Sequence, residues 1–144
     1  MTIPDDLTKI EAYAFANCSS LTSFVVSNSV TMVDYSAFSG ASNLTSLTIG
    51  SGLNVITSSA FSDMTGLTDL VIPNTVTWID AYAFSGCTNL MTVSLEGYVP
   101  MIIYSNTFSF SSLDAKIFVP TESFIKYLVE DSWSDYTKFL TDLA

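Results

Sequence analysis

The sequence predicts a right-handed solenoid of the β-rich α/β class with one parallel strand per turn, and three observations predict it. The first is a recurring Ala-Phe pair followed by a small or modest residue and a Leu. It reads Ala14-Phe15 with Cys18 and Leu21, Ala37-Phe38 with Ala41 and Leu44, Ala60-Phe61 with Met64 and Leu67, and Ala83-Phe84 with Cys87 and Leu90. The second is the spacing, because Phe15, Phe38, Phe61 and Phe84 recur every 23 residues without drift. The third is the apolar pattern after each phrase, as in Leu44-Thr45-Ser46-Leu47-Thr48-Ile49. A fixed period of about 20 to 29 residues carrying that pattern marks a leucine-rich repeat. Each unit is too small to bury its apolar face alone, so neighbours must stack.

Met1-Thr2-Ile3-Pro4 matches the end of a strand and its turn, as Leu70-Val71-Ile72-Pro73 does later. The chain is therefore expected to start in mid-repeat, without the atypical first repeat that caps a solenoid. Its first apolar face is expected to meet more of a longer protein, another chain, or a second copy by self-association. Leu7 and Ile10, Val30 and Val33, Leu53 and Ile56, then Val76 and Ile79 fill two apolar columns ahead of each phrase. The Ala-Phe phrase is expected to form one short helical turn. Polar corners follow, as in Asn17-Cys18-Ser19-Ser20 and Gly86-Cys87-Thr88-Asn89, built from residues that favour turns through local hydrogen bonds. In the strands Leu21–Val26, Leu44–Ile49, Leu67–Ile72 and Leu90–Leu95, the first, fourth and sixth residues should face the core.

The fifth unit loses register. Phe84 to Phe108 is 24 residues, Thr107 replaces Ala, and Leu113 arrives early, yet Ile117 and Val119 return to the strand columns. After Pro120 the pattern changes in kind: Thr121 can cap a helix, with Phe124, Tyr127 and Leu128 on one face at helical spacing. A second helical pattern carries Tyr136, Phe139, Leu140 and Leu143, with Trp133 between the two. Residues 1–120 are thus read as solenoid and 121–144 as a helical C-terminal cap of the same domain.

Composition narrows the function. Fourteen acidic residues stand against four lysines, with no Arg or His, for a net charge of −10. Nucleic acid and anionic membrane both need a basic footprint, so neither is expected as a partner. Residues 35–62 are uncharged but rich in Ser, Thr, Asn and Gly, which a lipid-facing helix would not tolerate. No basic and apolar leader of signal-peptide type is visible at the start. Cys18 and Cys87 share a column three repeats apart, about 14 Å by strand spacing, so a disulfide, which needs less than about 7 Å, is not expected.

Without His, the usual nucleophile–base pairs and Cys/His zinc sites are excluded, and no enzymatic activity, cofactor or metal is expected. One column holds carboxylates, Glu11, Asp34 and Asp80, with Thr57 between. Neighbours there lie about 5 Å apart, the separation of a retaining glycosidase pair, although solvated corner residues have the same pattern. Two surfaces are candidates for binding a protein. The first is an apolar flank stripe, Met32, Val55, Trp78 and Met101, attractive because Trp is enriched at hot spots. The alternative at these positions is a chain bend that tucks them inward. The second surface is the outward strand face, with Val25, Thr48, Val71, Ser94 and Phe118.

The unit Ile72-Pro73-Asn74-Thr75-Val76-Thr77-Trp78-Ile79, continuing through Cys87-Thr88-Asn89-Leu90, resembles the BspA-like class of leucine-rich repeats. The close, Val119-Pro120 then Ser123, Tyr127 and Trp133-Ser134-Asp135-Tyr136, is similar to that family's ending. Ala41 and Met64 depart from the family's usual Cys, a swap within an apolar column. The resemblance implies a non-enzymatic module, extracellular or on the cell surface, that adheres to host, matrix or cell-surface proteins. A structural spacer between other domains is the alternative reading, and a carbohydrate-binding surface a third.

Overall fold

The computed structural model of the protein describes residues 3–110 and 112–143, so the strand end expected at Met1 and Thr2 lies outside the described residues. Two strands alternate along the chain in each turn of the solenoid. The longer ones are β2 (Ser23–Val26), β4 (Ser46–Ile49), β6 (Asp69–Ile72), β8 (Thr92–Leu95) and β9 (Lys116–Val119). The two-residue ones are β1 (Lys9–Ile10), β3 (Met32–Val33), β5 (Val55–Ile56) and β7 (Trp78–Ile79). A last strand, β10 (Leu140–Asp142), closes the chain. Each pairs in parallel with its counterpart in the neighbouring repeat, as Ser23 with Ser46, Asp69 with Thr92, and Lys9 with Met32. The step from β8 to β9 pairs Thr92 with Lys116, which absorbs the extra residue of the fifth unit.

The core follows the sequence columns. Phe38, Phe61 and Phe84 are fully buried and stack nearly parallel, with centroids 5.3 Å apart from Phe38 to Phe61 and 5.4 Å from Phe61 to Phe84. Phe108 continues the stack at 5.6 Å. Phe24, Leu47, Leu70 and Val93 point inward from the strands, with Val26, Ile49, Ile72 and Leu95 beside them. Burial of these apolar columns supplies the main drive for folding. At the open first turn the burial is incomplete: Phe15, Cys18 and Leu21 are half-buried and Ala14 is exposed.

The Ala-Phe phrase is not a helical turn. Tyr13, Ser36, Ser59 and Tyr82 hold positive φ, between 53° and 62°, which interrupts any right-handed helical run. Overlapping turns result, with Ala14 N–H donating to Glu11 O at 3.2 Å and Ala16 N–H to Tyr13 O at 3.1 Å. The intervening amides reach the next repeat instead, Phe15 N–H to Ala37 O at 2.7 Å and Asn17 N–H to Ser39 O at 2.8 Å. Half the amides thus close the turn and half bind the stack. Gly40 and Gly86 sit at φ 75° and 76°, and a Cβ there would collide with the side chains of Asn17 and Asp63.

Both sheets are interrupted at one joint. β4 does not pair with β6, nor β3 with β5, although the Phe ladder crosses that joint, Phe38 N–H donating to Ala60 O at 2.8 Å. Pro73 has no N–H with which to close the joint at the strand end, where the next repeat uses Glu96 N–H to Ile72 O at 3.1 Å. On the flank, the Thr57 hydroxyl donates to Val33 O at 2.7 Å, in the place that the Asp34 and Asp80 amides fill elsewhere.

The C-terminal segment begins with a 3₁₀ turn at Thr121–Ser123 and the helix α1 (Phe124–Val129). A longer 3₁₀ run, Asp131–Phe139, follows and leads into β10. The second helical pattern therefore stops at Phe139, because β9 offers an unpaired edge and β10 takes it, Leu140 opposite Ile117. Thr121 does not cap α1; its hydroxyl donates to the Asp142 carboxylate. Leu128 lies exposed, as does Leu113 at 79%, while Ala115 is buried. Tyr127, Trp133, Tyr136 and Phe139 are buried against the last turn.

Candidate functional site

The flank is shaped by the short strands. In each, the second residue points inward, as Ile10, Val33, Ile56 and Ile79 do, so the residue before it turns toward solvent. Met32 is 40% exposed, Val55 43% and Trp78 39%, so no bend tucks them into the core. Met101 is different: it is 1% exposed, and its carbonyl accepts the Trp133 Nε1–H at 2.8 Å. Ile102 bridges to Trp78 and takes the fourth place of the stripe, at 46% exposure. The reason is the extra residue of the fifth unit, which falls before Met101 and moves the column on by one.

Tyrosines widen this flank beyond the residues expected from the sequence. Tyr13, Tyr35, Tyr82 and Tyr104 are all exposed beside the stripe. Tyr13 meets Tyr35 edge to face at 5.1 Å, and Trp78 meets Tyr104 at 6.3 Å. The signal was present in outline, since Glu11, Asp34 and Asp80 are each followed within two residues by a Tyr. Exposed apolar and aromatic side chains grouped on one flank in this way are a usual mark of a contact surface.

The carboxylate column lies along the same flank. Lys9 Nζ sits 2.8 Å from Glu11 Oε2 and 3.2 Å from Asp34 Oδ2. Asp34 also accepts the Tyr35 N–H at 2.8 Å, and that bond, followed by Lys9, holds its carboxyl below the usual range. A glycosidase acid needs a raised pKa, so Glu11 and Asp34 with a lysine between them are arranged as an ion-pair cluster.

The strand face is a second surface with different chemistry. Val25 and Val71 are exposed, Thr48 lies between them, and Ser94 and Phe118 are half-buried. A shallow groove of about 590 Å³ borders it, lined by Asp5, Val25, Asn28 and Thr48 among others. Much of the polar capacity here is already used within the protein. Asp69 accepts hydrogen bonds from the hydroxyls of Thr92 and Thr68, which lower its carboxyl pKa, Thr92 the more. At the neighbouring corners Thr31, Thr45, Thr65 and Thr77 donate to carbonyls of the preceding repeat.

A buried phenylalanine ladder and two parallel strands in each 23-residue repeat, a four-residue one and a two-residue one, define a leucine-rich repeat solenoid. The BspA type leucine rich repeat region family matches residues 1–136 in six copies. The chain belongs to that family. Among solved structures, a leucine rich cell surface protein from Faecalibacterium prausnitzii A2-165 is similar at 23% identity and a TM-score of 0.65. That similarity covers 100% of this chain but 32% of the other, so the chain spans about a third of that protein's length. A leucine rich repeat protein from T. pallidum is similar at 22% identity and a TM-score of 0.50, over 93% of this chain and 79% of its own. At these identities the likeness concerns the fold. No curated protein matches the chain. Among the described residues, no helix is long and apolar enough to cross a membrane.

Proposed function

We propose that this solenoid is a non-enzymatic protein-binding module of a surface or secreted protein, and that it adheres through its flank. The observation that supports this most is the exposed stripe of Met32, Val55, Trp78 and Ile102, bordered by exposed tyrosines. Such a face is costly in water and is retained where a partner covers it. Trp and Tyr give large contact area at low entropic cost. Surface location is supported by the family and by the cell surface protein with the same fold. Residues 1–120 and the cap that follows act as one domain in this reading, and the half-buried first turn is where self-association would occur.

The test is capture of purified matrix and cell-surface proteins by the immobilised chain, alongside two double variants. Trp78→Ser with Ile102→Ser should abolish capture, and Val71→Ser with Phe118→Ser should leave it intact. The reverse result moves binding to the strand face. Unchanged capture by both variants removes the reading.

A further inference from the structure

We propose that the flank receives a Lys or Arg side chain presented by an extended polypeptide partner, and that it seats at Asp80 between Trp78 and Tyr104. This rests on the flank being the protein-binding surface. The argument comes from the repeat symmetry, because the protein shows at one end of the flank how a cation sits in the carboxylate column. Lys9 Nζ bridges Glu11 Oε2 at 2.8 Å and Asp34 Oδ2 at 3.2 Å, while the other Asp34 oxygen holds the Tyr35 N–H. Asp80 repeats that arrangement, its Oδ1 accepting the Ala81 N–H at 2.8 Å.

What differs is the cation. The residue that stands to Asp80 as Lys9 stands to Asp34 is Val55, since both precede their aspartate by 25 positions. Among the described residues Asp80 has no ion-pair partner, as both salt bridges belong to Lys9. Two aromatic rings stand in register with Asp80 instead: Trp78, two residues before it, and Tyr104, opposite it in the next repeat, 6.3 Å apart, tilted 50° and each with an exposed portion. A cation over such rings gains from their quadrupoles, most strongly on Trp. A carboxylate alongside adds a charge-assisted hydrogen bond.

The rest of the surface agrees in sign and shape. With a net charge of −10, the chain attracts cationic segments over distance. The stripe from Met32 to Ile102 crosses three repeat steps, about 15 Å, which an extended segment of about five residues spans. Its apolar side chains would lie on Met32 and Val55, with the cation further along at Asp80.

The experiment is an NMR titration of the full chain with two blocked peptides, Ser-Leu-Thr-Arg-Tyr and the same peptide with Glu in place of Arg. The Arg peptide should shift the Ala81 amide and the Trp78 indole saturably, and the Glu peptide should not. Asp80→Asn should weaken the Arg peptide by about tenfold, and Asp114→Asn, away from the flank, should not change it. Equal response to the two peptides, no response to either, or an unaltered Asp80→Asn would overturn the inference. Its failure is separable from failure of the flank reading. If Trp78→Ser with Ile102→Ser abolishes protein capture while the Arg peptide does not bind, the flank stands and the cation site falls. If the Arg peptide binds at Asp80 while capture ignores that double variant, the reverse holds.

Discussion

The Tyr136 hydroxyl accepts the Phe108 N–H at 3.1 Å, in the place where the next repeat's carbonyl accepts it elsewhere in the stack. Phe84 N–H donates to Thr107 O at 2.9 Å by the usual rule, and Phe108 has no further repeat to reach. The same hydroxyl donates to Ser105 O at 2.7 Å, so one side chain ends the ladder on both counts. Tyr127 and Trp133 do likewise, donating to Gly97 O at 3.0 Å and Met101 O at 2.8 Å. Burial raises the Tyr136 pKa and pushes that of Tyr127 up to about 12, so both stay protonated as donors at neutral pH.

Tyr136→Phe should therefore leave a buried amide and a carbonyl without partners. A stability loss of about 1–3 kcal/mol is expected from urea unfolding, with faster hydrogen exchange at Phe108. A loss below about 0.5 kcal/mol would show that water satisfies the ladder end as well as the tyrosine does.

Phe61 stacks between Phe38 and Phe84 and is fully buried. Phe61→Ala should cost about 3–5 kcal/mol through lost burial and the cavity left behind. In a quasi-one-dimensional stack it should also separate unfolding of the two ends into distinct steps. A loss under about 1 kcal/mol, with unfolding still in one step, would contradict the ladder as the core.

Asp34 has a depressed pKa, from the Tyr35 N–H first and Lys9 second. Its contribution to stability is present above the unfolded value of 3.8 and is lost as pH falls through the lower folded value. In Lys9→Met, an NMR titration of the Asp34 carboxyl should show its midpoint rising while staying below 3.8, because the backbone bond remains. An unmoved midpoint would mean that the exposed ion pair contributes nothing in solution.

The two thiols are free, and their surroundings differ. Cys87 is buried, donates to Phe61 O at 3.2 Å, and its pKa is pushed up to about 12, chiefly by burial. Cys18, in the open first turn, is half-buried. An aromatic disulfide reagent at pH near 8 should modify Cys18 first, with Cys87 reacting only on unfolding, since the thiolate is the reactive form. Equal rates for both would show that the third and fourth repeats open readily.

Much of this was legible from residue columns. From Phe15 to Phe84 an unvarying 23-residue period sets the register of the repeat's apolar columns at once, so the core of those units was readable from the columns. Met101 was not legible: the interval from Phe84 to Phe108 tells that one residue is extra but not where. Met101, Ile102 and Ile103 are all apolar, so any of them fits the stripe by composition. The tyrosines beside it were missed for a conformational reason. Tyr13 and Tyr82 occupy left-handed backbone positions that non-glycine residues seldom adopt, and these project them outward. The spacing of Phe139, Leu140 and Leu143 fits a helix, and only the free edge of β9 makes Leu140–Asp142 a strand. The carboxylate column was visible, but the lysine that joins Glu11 to Asp34 shows only when adjacent repeats are laid side by side.

The most direct measurement is a hydrogen-exchange footprint of the chain bound to a captured surface protein. The account predicts slowed exchange at residues 78–82 and 102–104, with the strand face unchanged. Protection confined to residues 69–72 and 92–95 would contradict it and place the partner on the strands.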